Sequence, residues 1–196
     1  WVKIEILLFN FNFFPYFCRM IFSVTGPESS GKSTLCHAIH LTTNWLWIPE
    51  YSRNYLSRPP VSSTPELILR IASAQSALET LQCYQETCTL SDTDVYTFAI
   101  WWQDKVGKAL PPLLARWMEA ARNRYQHVFL CYPDMPWEAD PLREDENRRE
   151  KLFQDYELLL SGLSIPYTIL NGPLEMRKIQ AIAIIESASS ADSFPV

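Results

Sequence analysis

Residues 26 to 34, Gly-Pro-Glu-Ser-Ser-Gly-Lys-Ser-Thr, follow the pattern G-x-x-x-x-G-K-[ST] letter for letter, and nothing else in the chain constrains its fold as tightly. Two glycines at that spacing let the backbone curl until successive N–H groups converge on one anion. Lys32 adds a charge that reaches outer phosphates, and the Ser33 hydroxyl is placed to complete the site as a Mg²⁺ ligand. The flanking sequence supplies the setting such a loop needs. Met20-Ile-Phe-Ser-Val-Thr25 is a short apolar, β-branched run that reads as a strand. Leu35-Cys-His-Ala-Ile39 continues as a helix whose unpaired N-terminal amides face the phosphates. A Gly/Ser turn that merely caps a helix is the plain alternative, and pattern and setting together disfavour it. Gly26, Pro27, Glu28, Ser29, Ser30, Gly31, Lys32, Ser33 and Thr34 are therefore expected to bind ATP, with Mg²⁺.

Composition bounds what else the chain can be. At 196 residues, 47% hydrophobic and 20% charged, it fits one domain with a full core. That domain is expected over residues 20–188, with an extension of doubtful status before it (1–19) and a frayed tail after it (189–196). A net charge of -5 without clustered Lys and Arg argues against a nucleic-acid surface. Cys18, Cys36, Cys83, Cys88 and Cys131 form no C-x-x-C and have no companion His cluster. They read as scattered thiols of a reducing cytoplasm. The first 19 residues are aromatic-rich, but Lys3, Glu5, Asn10, Asn12 and Pro15 interrupt any membrane-spanning run. Met20 reads as the start of the domain, and no membrane partner is expected. Oligomeric state stays open, a homo-oligomer included.

Taken in order, the rest alternates strand and helix. Trp45-Leu-Trp-Ile48 reads as a second strand ending at Pro49-Glu50-Tyr51-Ser52-Arg53. Strand C-termini of an open parallel sheet face the ligand crevice, which puts Glu50, Tyr51 and Arg53 where a substrate sits; a solvated charged turn is the equal alternative. Thr64-Pro65-Glu66 is a helix start, with Leu67, Ile71, Ala74, Leu78 and Leu81 on one apolar face and Gln75 beside it. Thr87 to Leu90 is the third strand, followed by Ser91-Asp92-Thr93-Asp94. An Asp at that point is a usual Mg²⁺ anchor, and Asp92 and Asp94 point the same way if the chain is still extended; either can instead cap a helix. Helices are expected over 95–105, 111–124, the stretch through Leu160, and 174–187, with strands at 127–132 and 164–170. Arg143, Arg148 and Arg149 form a basic group able to close over phosphates, or else a solvated helix face. The fold expected is α/β, three-layered, with a mainly parallel sheet of about five strands.

Six blocks in this order carry a resemblance: residues 26–34, Pro-Glu-Tyr-Ser-Arg (49–53), Asp-Thr-Asp (92–94), Trp101 with Gly107, Pro-Asp-Met-Pro-Trp (133–137) and Asp-Pro-Leu-Arg (140–143). Together they resemble the nicotinamide riboside kinase family, an AAA-type ATP-binding domain also found as the kinase half of NadR-type bacterial proteins. The resemblance covers about Met20 to Ala183. It implies ATP-dependent phosphorylation of the ribose 5′-hydroxyl of nicotinamide riboside. On it, Lys32 and the loop hold ATP, Ser33 and Asp92 hold Mg²⁺, and Arg143 and Arg149 close over the phosphates. Asp94, Asp92 and Glu50 are all candidates for the general base. Tyr51, Trp101 and Trp137 are the candidate platforms for a cationic pyridinium ring, with Glu50 and Arg53 also lining the acceptor site. The turn at Asn171-Gly172, with Arg177 nearby, falls where such kinases cover adenine. His37, His40 and His127 form no H-x-G-H signature, so nucleotidyl transfer is not carried over.

Overall fold

The computed structural model describes residues 20–56, 64–82, 88–138 and 146–191. Five strands form one sheet: β1 (Met20–Thr25), β2 (Leu46–Ile48), β3 (Cys88–Asp92), β4 (Tyr125–Cys131) and β5 (Tyr167–Leu170). They run parallel in the order β2-β3-β1-β4-β5, as an α/β reading requires. Parallel strands need crossovers, and these are supplied by α1 (Lys32–Thr43), α2 (Tyr51–Leu56), α3 (Pro65–Gln82), α4 (Val95–Lys105), α5 (Pro112–Arg122) and α6 (Arg149–Gly162). Helix α7 (Leu174–Ala191) follows the last strand.

Helices cover both faces of the sheet, so β1 is buried along its whole length and reads as a continuous apolar run, not as an alternation. The period of two survives in which way each residue points. Phe22 and Val24 enter one core with Leu35, Cys36 and Ile39 of α1 and Ala181 and Ile185 of α7. Ile21 enters the other, which α3, α4, α5 and α6 close with Ile71, Phe98, Leu114 and Phe153 among others. Strand β4 divides the same way, Phe129 and Cys131 to the first core, Val128 and Leu130 to the second. Because α1 leaves β1 on one face and α4 leaves β3 on the other, the C-terminal ends of these neighbouring strands part into a crevice. The phosphate-loop sequence and Asp92 both lie at its mouth.

Three expectations change. The charged turn after β2 is helical from Tyr51, giving α2. The buried face of α3 is Leu67, Ile68, Ile71, Ala72, Gln75 and Glu79, rotated from the expected stripe, and Leu81 is 67% exposed. Gln75 and Glu79 turn inward because buried hydroxyl and guanidinium partners await them, a pull that apolar periodicity cannot register. Helix α7 runs through Ala191, so residues 189–191, expected in a frayed tail, are helical. Cys36, Cys88 and Cys131 are free and buried, as expected of scattered thiols; Cys18, Cys83 and the segment 1–19 lie outside the described residues. Burial pushes the Cys131 thiol up to about 11 and the Cys36 thiol well up too, so both are unreactive at neutral pH. Among the described residues no helix is long and apolar enough to cross a membrane.

Leu35 sits fully buried between α1, the sheet and α7. Leu35→Ala is expected to cost about 2–5 kcal/mol in urea denaturation. Leu158→Ala, at a position 73% exposed, is expected to cost no more than about 0.5 kcal/mol.

Candidate active site

Gly26, with φ 134°, is the residue at which the chain leaves β1 and turns under β4. A Cβ there would lie 2.7 Å from the Cys131 carbonyl oxygen, so the position excludes a side chain on two counts. Gly31, with φ 84°, is the N-cap of α1 and makes no side-chain capping bond. The first amides of α1 are thus left for an anion, not for a neighbouring side chain. Ser29 takes a left-handed φ of 52° between them, and the Ser30 hydroxyl closes the loop on the Pro27 carbonyl at 2.8 Å. Lys32 donates to the carbonyls of Gly26 (2.9 Å) and Pro27 (2.8 Å). Its ammonium therefore stands over the loop, at the mouth of the amide cradle.

The segment after β4 straps the outside of the loop. Met135 lies so close to Gly31 that a Cβ there would meet its sulfur at 2.7 Å. Arg149, the first residue of α6, donates to the carbonyls of Met135 (2.8 Å) and Ser29 (3.3 Å), with its guanidinium 5.7 Å from the centroid of the Trp137 ring. Arg177 of α7 is only 1% exposed. It donates to the carbonyls of Ser30 (2.8 Å), Gly172 (2.8 Å) and Tyr132 (3.1 Å) and is paired with Asp134. Asp134 in turn accepts from the Gly172 amide at 2.5 Å. One buried guanidinium thereby ties the phosphate loop to the strap and to the turn after β5.

The carboxylates stand on the other side. Strand β3 extends past the expected Leu90, and Val24 pairs with Asp92, so Asp92 ends level with the start of the loop. Asp92 is buried and accepts from the Ser33 side chain. Its Oδ1 has no hydrogen-bond partner among the described residues. A buried oxygen without a donor is costly, and beside a loop hydroxyl it suits a hard cation. Among the described residues no group of three or more His, Cys, Asp and Glu could hold a metal. Asp94 differs. It caps α4 by accepting from the Thr97 amide (3.0 Å), and it also accepts from the hydroxyls of Ser23 (2.5 Å) and Thr25 (3.2 Å). Both of its oxygens are occupied and it is fully enclosed.

Glu50 comes from the far wall, its side chain 13% exposed, accepting from the Ser52 hydroxyl with Arg53 Nε at 3.9 Å. Tyr51 is half-buried against Tyr55, ring centroids 5.9 Å apart. Trp101 is half-buried on α4, edge-on to Phe98 at 5.5 Å. Trp137 lies instead on the strap beneath Arg149. Arg148 is paired with Asp104, whereas Arg143 lies outside the described residues. Sequence reasoning missed Asp134 and Met135 as parts of the loop's support. It also missed Tyr156 of α6, buried with its hydroxyl in hydrogen-bonding contact with Thr97 and Thr25. Asp134 and Met135 fall within the 133–137 block, which gave no sign of their contacts with the loop, and no local pattern signals Tyr156, since each acts on a partner far along the chain.

The AAA domain family profile matches residues 21–177, most of the chain. The chain belongs to that family. No curated protein matches this AAA domain; likeness to solved structures is extensive but distant in sequence. A NadR protein in complex with NR superposes with a TM-score of 0.73 at 18% identity, over 88% of this chain and 52% of that one. A deoxyadenosine kinase from M. mycoides gives 0.59 at 15% identity, over 86% of this chain and 100% of that one. A thymidylate kinase from Ehrlichia chaffeensis gives 0.58 at 11%, over 85% and 98%. The AAA domain spans about half the length of the NadR chains it matches. At these identities the likeness shows the fold: a P-loop α/β domain shaped like nucleoside and nucleotide kinases.

Burial acts in the same direction on Asp92 and Asp94 of this AAA domain. Burial, with the like charge of Glu50 second among the raising influences, pushes Asp92 from 3.8 up to about 6, against the opposing pull of Ser33, Lys32 and Arg53. Burial also raises Asp94, opposed by Ser23, the Thr97 amide and Thr25. Between about pH 4 and 6 the folded chain keeps a proton on Asp92 that the unfolded chain has released, so stability falls as pH rises through that window. A rise from 3.8 to about 6 corresponds to roughly 3 kcal/mol. Asp92→Asn is therefore expected to gain stability relative to wild type, by up to about that amount, between pH 4 and pH 7. Urea denaturation of both proteins at the two pH values checks it.

Proposed function

We propose that this AAA domain is a small-molecule kinase that transfers the γ-phosphoryl group of ATP to the 5′-hydroxyl of nicotinamide riboside. The observation that carries a phosphotransferase reading is the partnerless Oδ1 of buried Asp92 beside Ser33, at the foot of a loop whose first helical amides have no side-chain cap and whose lysine stands over it on the Gly26 and Pro27 carbonyls. Phosphoryl transfer needs positioning and charge stabilisation more than covalent help. The loop amides and Lys32 hold the β- and γ-phosphates, while Arg149, already at the Ser29 carbonyl, meets charge that spreads onto the γ-oxygens. Ser33 and Asp92 hold Mg²⁺, which when bound neutralises the phosphate oxygens. Arg143 is assigned the second cationic role at the phosphates on the resemblance alone.

Glu50 is assigned as the general base. Asp92 is committed to the metal and Asp94 to capping α4, which leaves Glu50 to accept the proton of an alcohol presented across the crevice. Tyr51 and Arg53, next to Glu50 in the chain, and Trp101 on α4 are assigned to the acceptor side, where an aromatic face favours a cationic ring. Trp137 braces Arg149. Nicotinamide riboside as acceptor is supported by the six sequence blocks and by the higher TM-score of the NR-bound NadR structure than of the deoxynucleoside kinases. Another nucleoside is the second reading, favoured by the full-length overlap with a deoxyadenosine kinase. A regulatory ATP-binding switch would instead show slow hydrolysis and no acceptor-stimulated ADP release.

A panel of ribosides and deoxynucleosides with ATP and Mg²⁺ tests the assignment. Nicotinamide riboside is expected to exceed uridine and deoxyadenosine by at least about tenfold in kcat/KM, roughly 1.4 kcal/mol of discrimination; equal turnover would remove the acceptor assignment. Lys32→Ala is expected to lower kcat by about a hundredfold or more while the fold is kept, as read by steady-state kinetics with circular dichroism.

A further inference from the structure

Gln75 is buried in the middle of α3, where an apolar side chain would serve packing better, and its two polar atoms reach two other elements. Oε1 accepts from the backbone amide of Tyr51, the first residue of α2, at 2.9 Å. Nε2 donates to Ser91 Oγ of β3 at 3.3 Å. Ser91 is itself anchored, its hydroxyl 2.6 Å from Glu79, which also accepts from the Tyr125 hydroxyl (2.9 Å) and Arg124 (3.1 Å). A single amide therefore joins the residue directly after Glu50 to the residue directly before Asp92.

That junction bears a load. Helix α2 has only six residues, far below the length at which a helix holds itself together, and its first amides have no partner within it. Gln75 satisfies the first amide of α2 from a buried base that is itself hydrogen-bonded to β3.

We propose that Gln75 is a positioning residue for the acceptor side of the site: by tethering the Tyr51 amide to Ser91, it fixes Glu50 relative to Asp92 and so sets where the acceptor hydroxyl stands. The tether is a matter of geometry; its effect on the acceptor rests on the kinase reading.

Two readouts on the full chain separate these. Hydrogen exchange by mass spectrometry follows the amides of 51–56, and steady-state kinetics follows nicotinamide riboside and ATP separately. Gln75→Met keeps the volume and loses both bonds; Gln75→Asn keeps the amide but is one methylene too short to span. Tyr125→Phe perturbs the same buried cluster without touching α2. Both Gln75 variants are expected to speed exchange in α2 about three- to tenfold and to raise the acceptor KM by a similar factor, with the ATP KM within about twofold, the scale of one lost hydrogen bond. Tyr125→Phe is expected to lower Tm and leave both readouts alone. Unchanged exchange in both Gln75 variants overturns the tether whatever the kinetics. Faster exchange with an unchanged acceptor KM and kcat overturns the link to the acceptor. Faster exchange in a protein whose wild type phosphorylates no nucleoside upholds the tether and counts against the kinase reading alone.

Discussion

The structure depends on one constraint: the first turn of α1 has no side-chain cap and begins at a glycine whose left-handed φ and close Met135 neighbour disfavour any side chain. Most helices satisfy their leading amides locally. Here they are held open at the parting of β1 and β3, where the sheet's two helix layers diverge. Everything around the loop works to keep that opening in shape. Gly26 lets β1 turn beneath Cys131, Met135 closes over Gly31, and Arg177 fastens the Ser30 carbonyl to the strap and to α7. A buried arginine is tolerable only because its donors meet three carbonyls and a carboxylate.

Around this cradle the polar groups divide into those fully engaged and those left over. Asp94, Glu79 and Ser91 are buried and hydrogen-bonded, and they fix the ends of α4, α3 and β3. Asp92 is equally buried, yet one of its oxygens meets no donor. Of the buried carboxylates around the loop, Asp92 is the one left with an unpartnered oxygen, and it lies beside the Ser33 hydroxyl. Glu50, across the crevice, is shallower and held by a serine and a loose arginine contact. Two carboxylates so differently situated are suited to different tasks, one holding charge in place and the other moving a proton.

Much of this was legible in the sequence. The glycine pattern placed the loop, because φ 134° with a Cβ 2.7 Å from the Cys131 carbonyl leaves no room for a side chain at Gly26 and a left-handed φ favours glycine at Gly31, and the alternation of apolar runs gave a parallel five-stranded sheet. Residues 92 and 94 were recognised as a pair, but not that one would keep an unpartnered oxygen and the other be fully hydrogen-bonded; the strand runs only as far as Asp92, and the left-handed Thr93 turns the chain there. The buried face of α3 was misread because Gln75 and Glu79 look like surface residues until their partners, 16 and 46 positions onward, are folded against them. Helix α2 was missed for a related reason: at six residues it is stabilised by contacts from α3, not by its own pattern. Long-range polar satisfaction leaves no periodic trace.

The most direct measurement is calorimetric titration of ATP into the protein with and without Mg²⁺, in wild type and in Asp92→Asn. If the loop amides and Lys32 grip the triphosphate while Asp92 and Ser33 share its metal, wild type binds ATP, Mg²⁺ tightens that binding at least about tenfold, and the gain disappears in Asp92→Asn. Absence of ATP binding, or a Mg²⁺ gain that survives the loss of the Asp92 charge, would contradict it.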